Sequence, residues 1–292
     1  MIKIIKKTNI DFISLRYKFF ALSALVIIAG FISMYVKGVN LALDFTGGTL
    51  IQVKFEQKVD ISQIREAMKK NNIEAAIQTF DNNSFAVKVK GKQDNVNEIS
   101  EKIINALSEI KVKFIEERRD YVGPVVGKDM AKKAIFAIIL SMFGIIVYVA
   151  FRFSNPILGT TGVIALAHDV FVALAFMSFT NREIDLVIVA ALLTIAGYSI
   201  NDTIVIYDRM RENMKKFPKM PYNQLINLSI NETLSRTILT SLTVIGVLVI
   251  LYIFGGSGLN DFSFCMLVGS ITGAYSTIFI ATPLAYEWQK HN

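Results

Sequence analysis

The chain has little of what enzymes and metal proteins rely on. Its 292 residues include one cysteine, Cys265, so no intramolecular disulfide can form and no metal site is suggested. It has no Walker-type phosphate loop, no HExxH pair and no nucleophile elbow, which argues against ATP hydrolysis or any other enzymatic role. That leaves the membrane potential and an ion gradient as energy sources, one charge crossing 100 mV being worth about 2.3 kcal/mol. Charge is scarce as well. Charged residues make up 19% of the chain against 53% hydrophobic, and the mean hydropathy is +0.46. An ordinary soluble domain is not built that way.

What the chain has instead is long apolar runs. Six of them, at about 19–36, 134–151, 157–179, 186–207, 237–256 and 262–286, reach or approach the roughly 20 helical residues that cross a bilayer core. The first two are short and borrow flanking residues. The net charge of +7 invites a nucleic-acid partner, but the positive charge sits beside the runs, which is the positive-inside pattern and no nucleic-acid face. Lys3, Lys6, Lys7, Arg16 and Lys18 precede the first run, Arg152 lies between the second and third, and Arg209, Arg211, Lys215, Lys216, Lys219 and Arg236 lie between the fourth and fifth. These segments are expected to be cytoplasmic, as are both termini of a multi-pass protein of the cytoplasmic membrane. The loops around Asn181–Asp185 and Gly255–Asp261 carry almost no basic charge and face outward. No A-x-A-like site follows the first run, so it reads as an uncleaved anchor and not as a signal peptide.

The expected domains are residues 1–36 (N-terminus and first span), 37–130 (external) and 131–292 (spans two to six). Within the external segment, Thr49–Phe55 reads as a strand. Asp60–Asn71 reads as a helix with an Asp cap and Gln63 three residues on. Ile73–Phe80 and Ser84–Lys90 read as strands joined by the turn Asp81-Asn82-Asn83, Asp94–Ile110 as a helix, and Lys111–Arg119 as a last strand. The order βαββαβ is that of a ferredoxin-like α+β module inserted between the first two membrane helices. It holds no cluster of catalytic residue types and reads as a binding or mechanical module.

Chemistry concentrates in the membrane. Asp202 lies in the run LVIVAALLTIAGYSINDTIVIY, where an ionised carboxylate costs about 2.5–3.5 kcal/mol on insertion scales and so marks a functional candidate. A packing hydrogen bond is the plainer alternative. Helical spacing puts Thr194, Tyr198, Asn201, Asp202, Val205 and Arg209 on one side. Tyr198, Ser199, Asn201 and Thr203 offer hydrogen bonds within a turn of the carboxylate. Asp202 stands about 9 Å before Asp208, nearer the cytoplasmic end unless the helix continues through Arg211. The fifth run supplies Arg236 with Thr237, Thr240, Ser241 and Thr243. An Arg beside an Asp holds the carboxylate ionised, so protonation would release the Arg; a static pair or a snorkelling Arg is the alternative. His168 and Asp169 are adjacent in the third run, where a histidine can relay protons or one of the two can merely bond a neighbouring helix. Gly269 and Gly273 have small-xxx-small spacing and signal helix packing.

The segments LDFTGGTLIQV (Leu41–Val53), VGPVVG (Val122–Gly127), AHDV (Ala167–Val170), GYSINDTIVIYDRMREN (Gly197–Asn213), NETLSRTILTS (Asn231–Ser241) and GAYSTIFIATPLA (Gly273–Ala285) together resemble the SecF family of protein-translocase subunits along nearly the whole chain. The resemblance implies a build similar to resistance-nodulation-division transporters, with the chain as one six-span half completed by SecD. It also implies association with the SecYEG channel and YajC, and proton-motive-force-driven help to a translocating unfolded polypeptide. Asp202 and Arg236 match the family's proton pathway, and no cofactor is implied beyond the gradient, with sodium an alternative ion. Asp44, Phe45, Thr46, Gly47, Gly48, Thr49, Gly123 and Pro124 fall in boxes that flank the external domain as hinges, Gly47, Gly48 and Gly123 supplying backbone freedom or simple tight turns. The expected cycle has Asp202 take a proton from outside, loosen from Arg236 and let the helices move the external module. A proton-coupled transporter of lipid or small molecules is the first rival, marked by an apolar cavity at the external domain. A non-transporting scaffold is the second.

Overall fold

The computed structural model describes residues 8–81, 83–91, 96–153 and 156–290. Lys3, Lys6, Lys7, Asn82 and Asp94 lie outside those residues. Among the described residues, six helices are long and apolar enough to cross a membrane, and the protein is a multi-pass membrane protein. A single turn at Ile13–Leu15 leads into α1 (Arg16–Lys37), followed by the short α2 (Leu43–Thr46). Then come β1 (Gly48–Phe55), α3 (Ile61–Lys70), β2 (Ala76–Asp81), β3 (Ser84–Lys90), α4 (Val96–Ser108) and β4 (Phe114–Val122). The remaining spans are α5 (Pro124–Phe153), α6 (Pro156–Phe179), α7 (Leu186–Lys216), α8 (Tyr222–Phe254) and α9 (Ser257–Ser276), the last continued through a π turn (Thr277–Ala281) into α10 (Thr282–Lys290). The helices outrun their apolar runs because flanking polar residues extend them into the aqueous layers, as the long polar tail of α7 does.

The bundle has an inside and an outside. The apolar windows of α6, α7 and α9–α10 are 56%, 50% and 61% buried, and those of α1, α5 and α8 only 11%, 11% and 17%. The first three therefore form the packed centre, and the polar residues they carry are the ones withdrawn from lipid. At one end, an Arg16–Glu287 ion pair ties α1 to α10. Nearby, Asn227 of α8 accepts from the backbone of Phe12 and Ile13 at 3.0 and 3.1 Å.

The described strands form one antiparallel sheet in the order β2-β3-β1-β4. Ile51, Val53, Phe55, Phe85 and Val87 turn from it toward Ile64 and Met68 of α3 and Ile103 and Leu107 of α4. Asp60 caps α3 by accepting from the Ser62 N–H at 2.8 Å, while the Gln63 side chain accepts from the Asp60 N–H at 3.1 Å. Those bonds to Ser62 hold the Asp60 carboxyl below its ordinary range. Two strand boundaries differ from the sequence expectation for one reason. Asn72 (φ 56°) and Lys111 (φ 60°) adopt left-handed conformations after each helix, so residues 73–75 and 111–113 turn the chain and the strands begin later. β4 then pairs as far as Gly48↔Val122 and leads through Gly123 directly into α5.

The open face of the sheet lies over one end of the membrane helices. Lys88 of β3 pairs with Glu183 in the α6–α7 loop at 2.6 Å. Lys90 donates to the Asn40 side chain at 2.8 Å and to the Leu41 carbonyl at 2.7 Å, and Leu41 forms a β-bridge with Ile184. Arg182 reaches Asn260 and Asp261 and stacks over Phe264, its guanidinium 4.2 Å from the ring centre, closing that end of the bundle.

Candidate functional site

α7 is helical from Leu186 to Lys216, so its polar extension is real and Asp202 stands near the helix middle. The residue is 3% exposed. Among the described residues it accepts no hydrogen bond and makes no ion pair; Arg236 acts on it only through longer-range attraction. The expected direct Asp202–Arg236 contact is therefore absent from this conformation. The reason is register: α8 turns Thr237 inward, 1% exposed, and leaves Arg236 on its exposed side.

The groups expected around Asp202 are also committed elsewhere. Tyr198 faces Ser241 of α8 with neither hydroxyl hydrogen-bonded among the described residues, Ser199 donates to Asp169, and Thr203 meets Thr277 of the π turn at 3.1 Å. Asn201 is exposed, and Thr240 bonds back to the carbonyls of Arg236 and Thr237, both at 3.0 Å. Asp202 is thus buried with Tyr198 one turn away on the same helix. The Thr237 hydroxyl of the facing helix is buried with no hydrogen-bond partner among the described residues. A carboxyl without fixed donors is free to change its protonation state, since no hydrogen bond selects the charged form.

His168 and Asp169 form the opposite kind of site. Asp169 is wholly buried. Its Oδ2 accepts from Ser199 Oγ at 2.5 Å and from Ser276 Oγ at 2.6 Å, and its Oδ1 lies 3.0 Å from His168 Nδ1. His168 Nε2 lies 3.0 Å from Ser23 Oγ, which lies 2.9 Å from the Tyr275 hydroxyl, which donates to the Phe19 carbonyl at 2.9 Å. This chain links α1, α6, α7 and α9. Sequence reading placed His168 and Asp169 in the third span but missed Ser23, Tyr275 and Ser276. Their only signal was a hydroxyl in an apolar run, which is common in spans and says nothing about partners. Further along α7, Tyr207 meets Thr161 at 2.7 Å and donates to the Ala281 carbonyl at 3.1 Å.

The glycine box is a packed junction. Gly47 has φ 72° and Gly48 φ 143°, and a Cβ on Gly48 would lie 2.2 Å from the Val89 carbonyl oxygen. A Cβ on Gly47 would lie 2.9 Å from Cα of Pro124. Phe45 is buried, Thr46 bonds to the Ala42 carbonyl at 3.1 Å, Thr49 is buried in β1, and the Asp44 carboxylate accepts from the Leu186 N–H at 3.2 Å. Gly123 corrects the expectation of backbone freedom: its φ is not positive and a Cβ there would meet only Tyr121 and Val126 side chains, at 3.8 Å or more. The α9 glycines pack within the chain. A Cβ on Gly269 would lie 2.2 Å from Ile195 and one on Gly273 3.1 Å from Ser199, both on α7.

Comparison with known proteins points one way. Residues 102–291 match the family of protein export membrane protein SecD/SecF, C-terminal, and residues 32–59 match the SecD/SecF GG motif. The protein translocase subunit SecF of Endomicrobium trichonymphae is 40% identical, with 97% of this chain and 93% of the relative covered. That of Calditerrivibrio nitroreducens is 41% identical over 96% and 94%. Among solved structures, SecDF of Thermus thermophilus, a translocon-associated membrane protein, superposes with a TM-score of 0.86 at 34% identity. The match covers 97% of this chain and 39% of that one, so the chain spans about two fifths of its length.

Proposed function

The chain belongs to the SecD/SecF family of protein-export membrane proteins and is an accessory subunit of Sec protein translocation; we propose that it couples the proton motive force to late steps of polypeptide export, itself catalysing no covalent chemistry. In this reading it lies in the cytoplasmic membrane with both termini inside. SecD completes it to a twelve-span unit that works beside SecYEG and YajC, and its α+β insert is a ferredoxin-like module that handles the emerging chain. The observation that carries the reading is Asp202, a buried acid with no hydrogen-bond donor among the described residues, near the middle of a central helix and within electrostatic reach of Arg236. A partner bundle is supported by polar and small residues left on the outer surface of α7 and α8: Thr194, Gly197, Asn201 and Arg236, groups unsuited to lipid.

The cycle follows. A proton from the outer side neutralises Asp202, Arg236 loses the field that restrains it, and α7 and α8 shift. β4 runs almost unbroken into α5, so helix movement reaches the external module, which biases the translocating chain outward. Release of the proton inward resets the unit. Asp202→Asn should assemble with SecD yet lose gradient-dependent stimulation of export by about tenfold or more. Export that still responds fully to the gradient in that variant would refute the reading. A transporter of lipid or small molecules finds less support, because the cavities beside the external module are lined by charged side chains such as Arg65, Lys69, Lys88, Arg118, Glu183 and Asp185.

A further inference from the structure

We propose that His168 and Asp169 form a second proton-binding centre, distinct from Asp202, which holds one proton between its two members and admits another when the Ser276 hydroxyl turns. It rests on the proton-coupled reading for its purpose, though its chemistry follows from hydrogen-bond directions alone. A carbonyl oxygen can only accept, so the 2.9 Å contact between Tyr275 and the Phe19 carbonyl holds the tyrosine's own proton. The Tyr275 oxygen must then accept from Ser23 Oγ, and Ser23 Oγ from His168 Nε2. The ring therefore carries hydrogen on Nε2. Nδ1 lies 3.0 Å from Asp169 Oδ1, where the two lone pairs would repel if no proton lay between them. One proton occupies that contact, whether drawn as an acid beside a neutral ring or as a carboxylate beside an imidazolium, and the pair is neutral either way.

A second proton has a place to go. Oδ2 accepts from both Ser199 and Ser276, but Ser276 Oγ also lies 3.2 Å from the Gly273 carbonyl. When the serine turns its proton to that carbonyl, its oxygen can accept from a newly protonated Oδ2. His168 then keeps protons on both nitrogens, Asp169 is neutral, and the centre has gained one positive charge with every hydrogen bond still paired. Few other charges compete. From α1, α7 and α9, Ser23, Ser199, Tyr275 and Ser276 face the pair, with Tyr275, among the described residues, the one titratable group in contact through Ser23. Asp202 stands one helical turn from Ser199 on α7. The charged residues of α5 and α10 stand near helix ends, at Lys128, Asp129, Lys132, Lys133, Arg152, Glu287 and Lys290.

The test begins with the full chain carrying His291→Gln, which leaves His168 as its sole histidine, ¹⁵N-labelled in bilayers. Nuclear magnetic resonance should find Nε2 protonated at every pH examined. A bare Nε2 with the proton on Nδ1 would overturn the proposal, and this arm alters neither member of the pair and is independent of export. Proton uptake on acidification is then measured in Asp202→Asn and in Asp202→Asn/Asp169→Asn. The single variant should retain uptake that the double variant lacks; equal uptake by the two would also overturn it. If export in Asp202→Asn proves unaffected while both arms succeed, the proton-coupled export reading fails and the centre stands.

Discussion

At the scale of residues, two carboxyl groups one helix apart are held in opposite ways, and that contrast sets their roles. Asp169 is fixed by Ser199, Ser276 and His168, so replacing it breaks a connected network. Asp202 has no such partners among the described residues, so Asp202→Asn removes a charge without breaking a hydrogen bond. We therefore expect Asp202→Asn to be extracted and melt within about 1 kcal/mol of the parent, against a loss of about 1–3 kcal/mol for Asp169→Ala. Thermal denaturation of the purified complex separates the two. Asp202 was legible in the sequence because an acid in an apolar run has few structural reasons to be there. Its surroundings were not, since sequence adjacency suggested Ser199 and Thr203 as ligands while the structure directs them to Asp169 and Thr277. Side-chain direction depends on which helix packs on which face, and one sequence alone does not contain that.

Elements show the same division. The α3 cap was readable because a capping box is local: Asp60 and Gln63 lie within one turn and their bonds need no tertiary partner. The later start of β4 was not, because it follows from the left-handed Lys111 and from pairing with β1. The cap makes a pH prediction. Hydrogen bonds from Ser62 lower the Asp60 carboxyl, so its stabilisation is present above the ordinary Asp range and is lost as pH falls through the lowered value. Amide exchange in the first turn of α3 should accelerate on acidification, and Asp60→Asn should flatten that dependence. In the membrane, Gly269→Val would drive a side chain into Ile195, where a Cβ alone already lies 2.2 Å away. It should cost about 1–3 kcal/mol, read as a lower melting temperature, while a similar change at Gly144, open on all sides, should cost far less.

On the scale of the whole molecule, the α+β module is joined to the bundle on two sides. One side is covalent and tightly packed, through the Gly47–Gly48 box and the run from β4 into α5. The other is polar, through Lys88–Glu183 and Lys90–Asn40. Lys88→Glu should raise the module from the membrane surface, and the swap Lys88→Glu/Glu183→Lys should return it; spin-label distances between β3 and the α6–α7 loop read both. Both side chains of the pair are largely buried, 13% and 21% exposed, so removing one partner leaves the other charge unpaired and costs more than breaking an exposed pair. Every step of the proposed cycle depends on Asp202 exchanging a proton as the gradient changes. Infrared difference spectra of the reconstituted complex, with the gradient on and off, test that directly. The account predicts a protonated-carboxyl band in the parent that loses a component in Asp202→Asn; identical spectra for the two would contradict it.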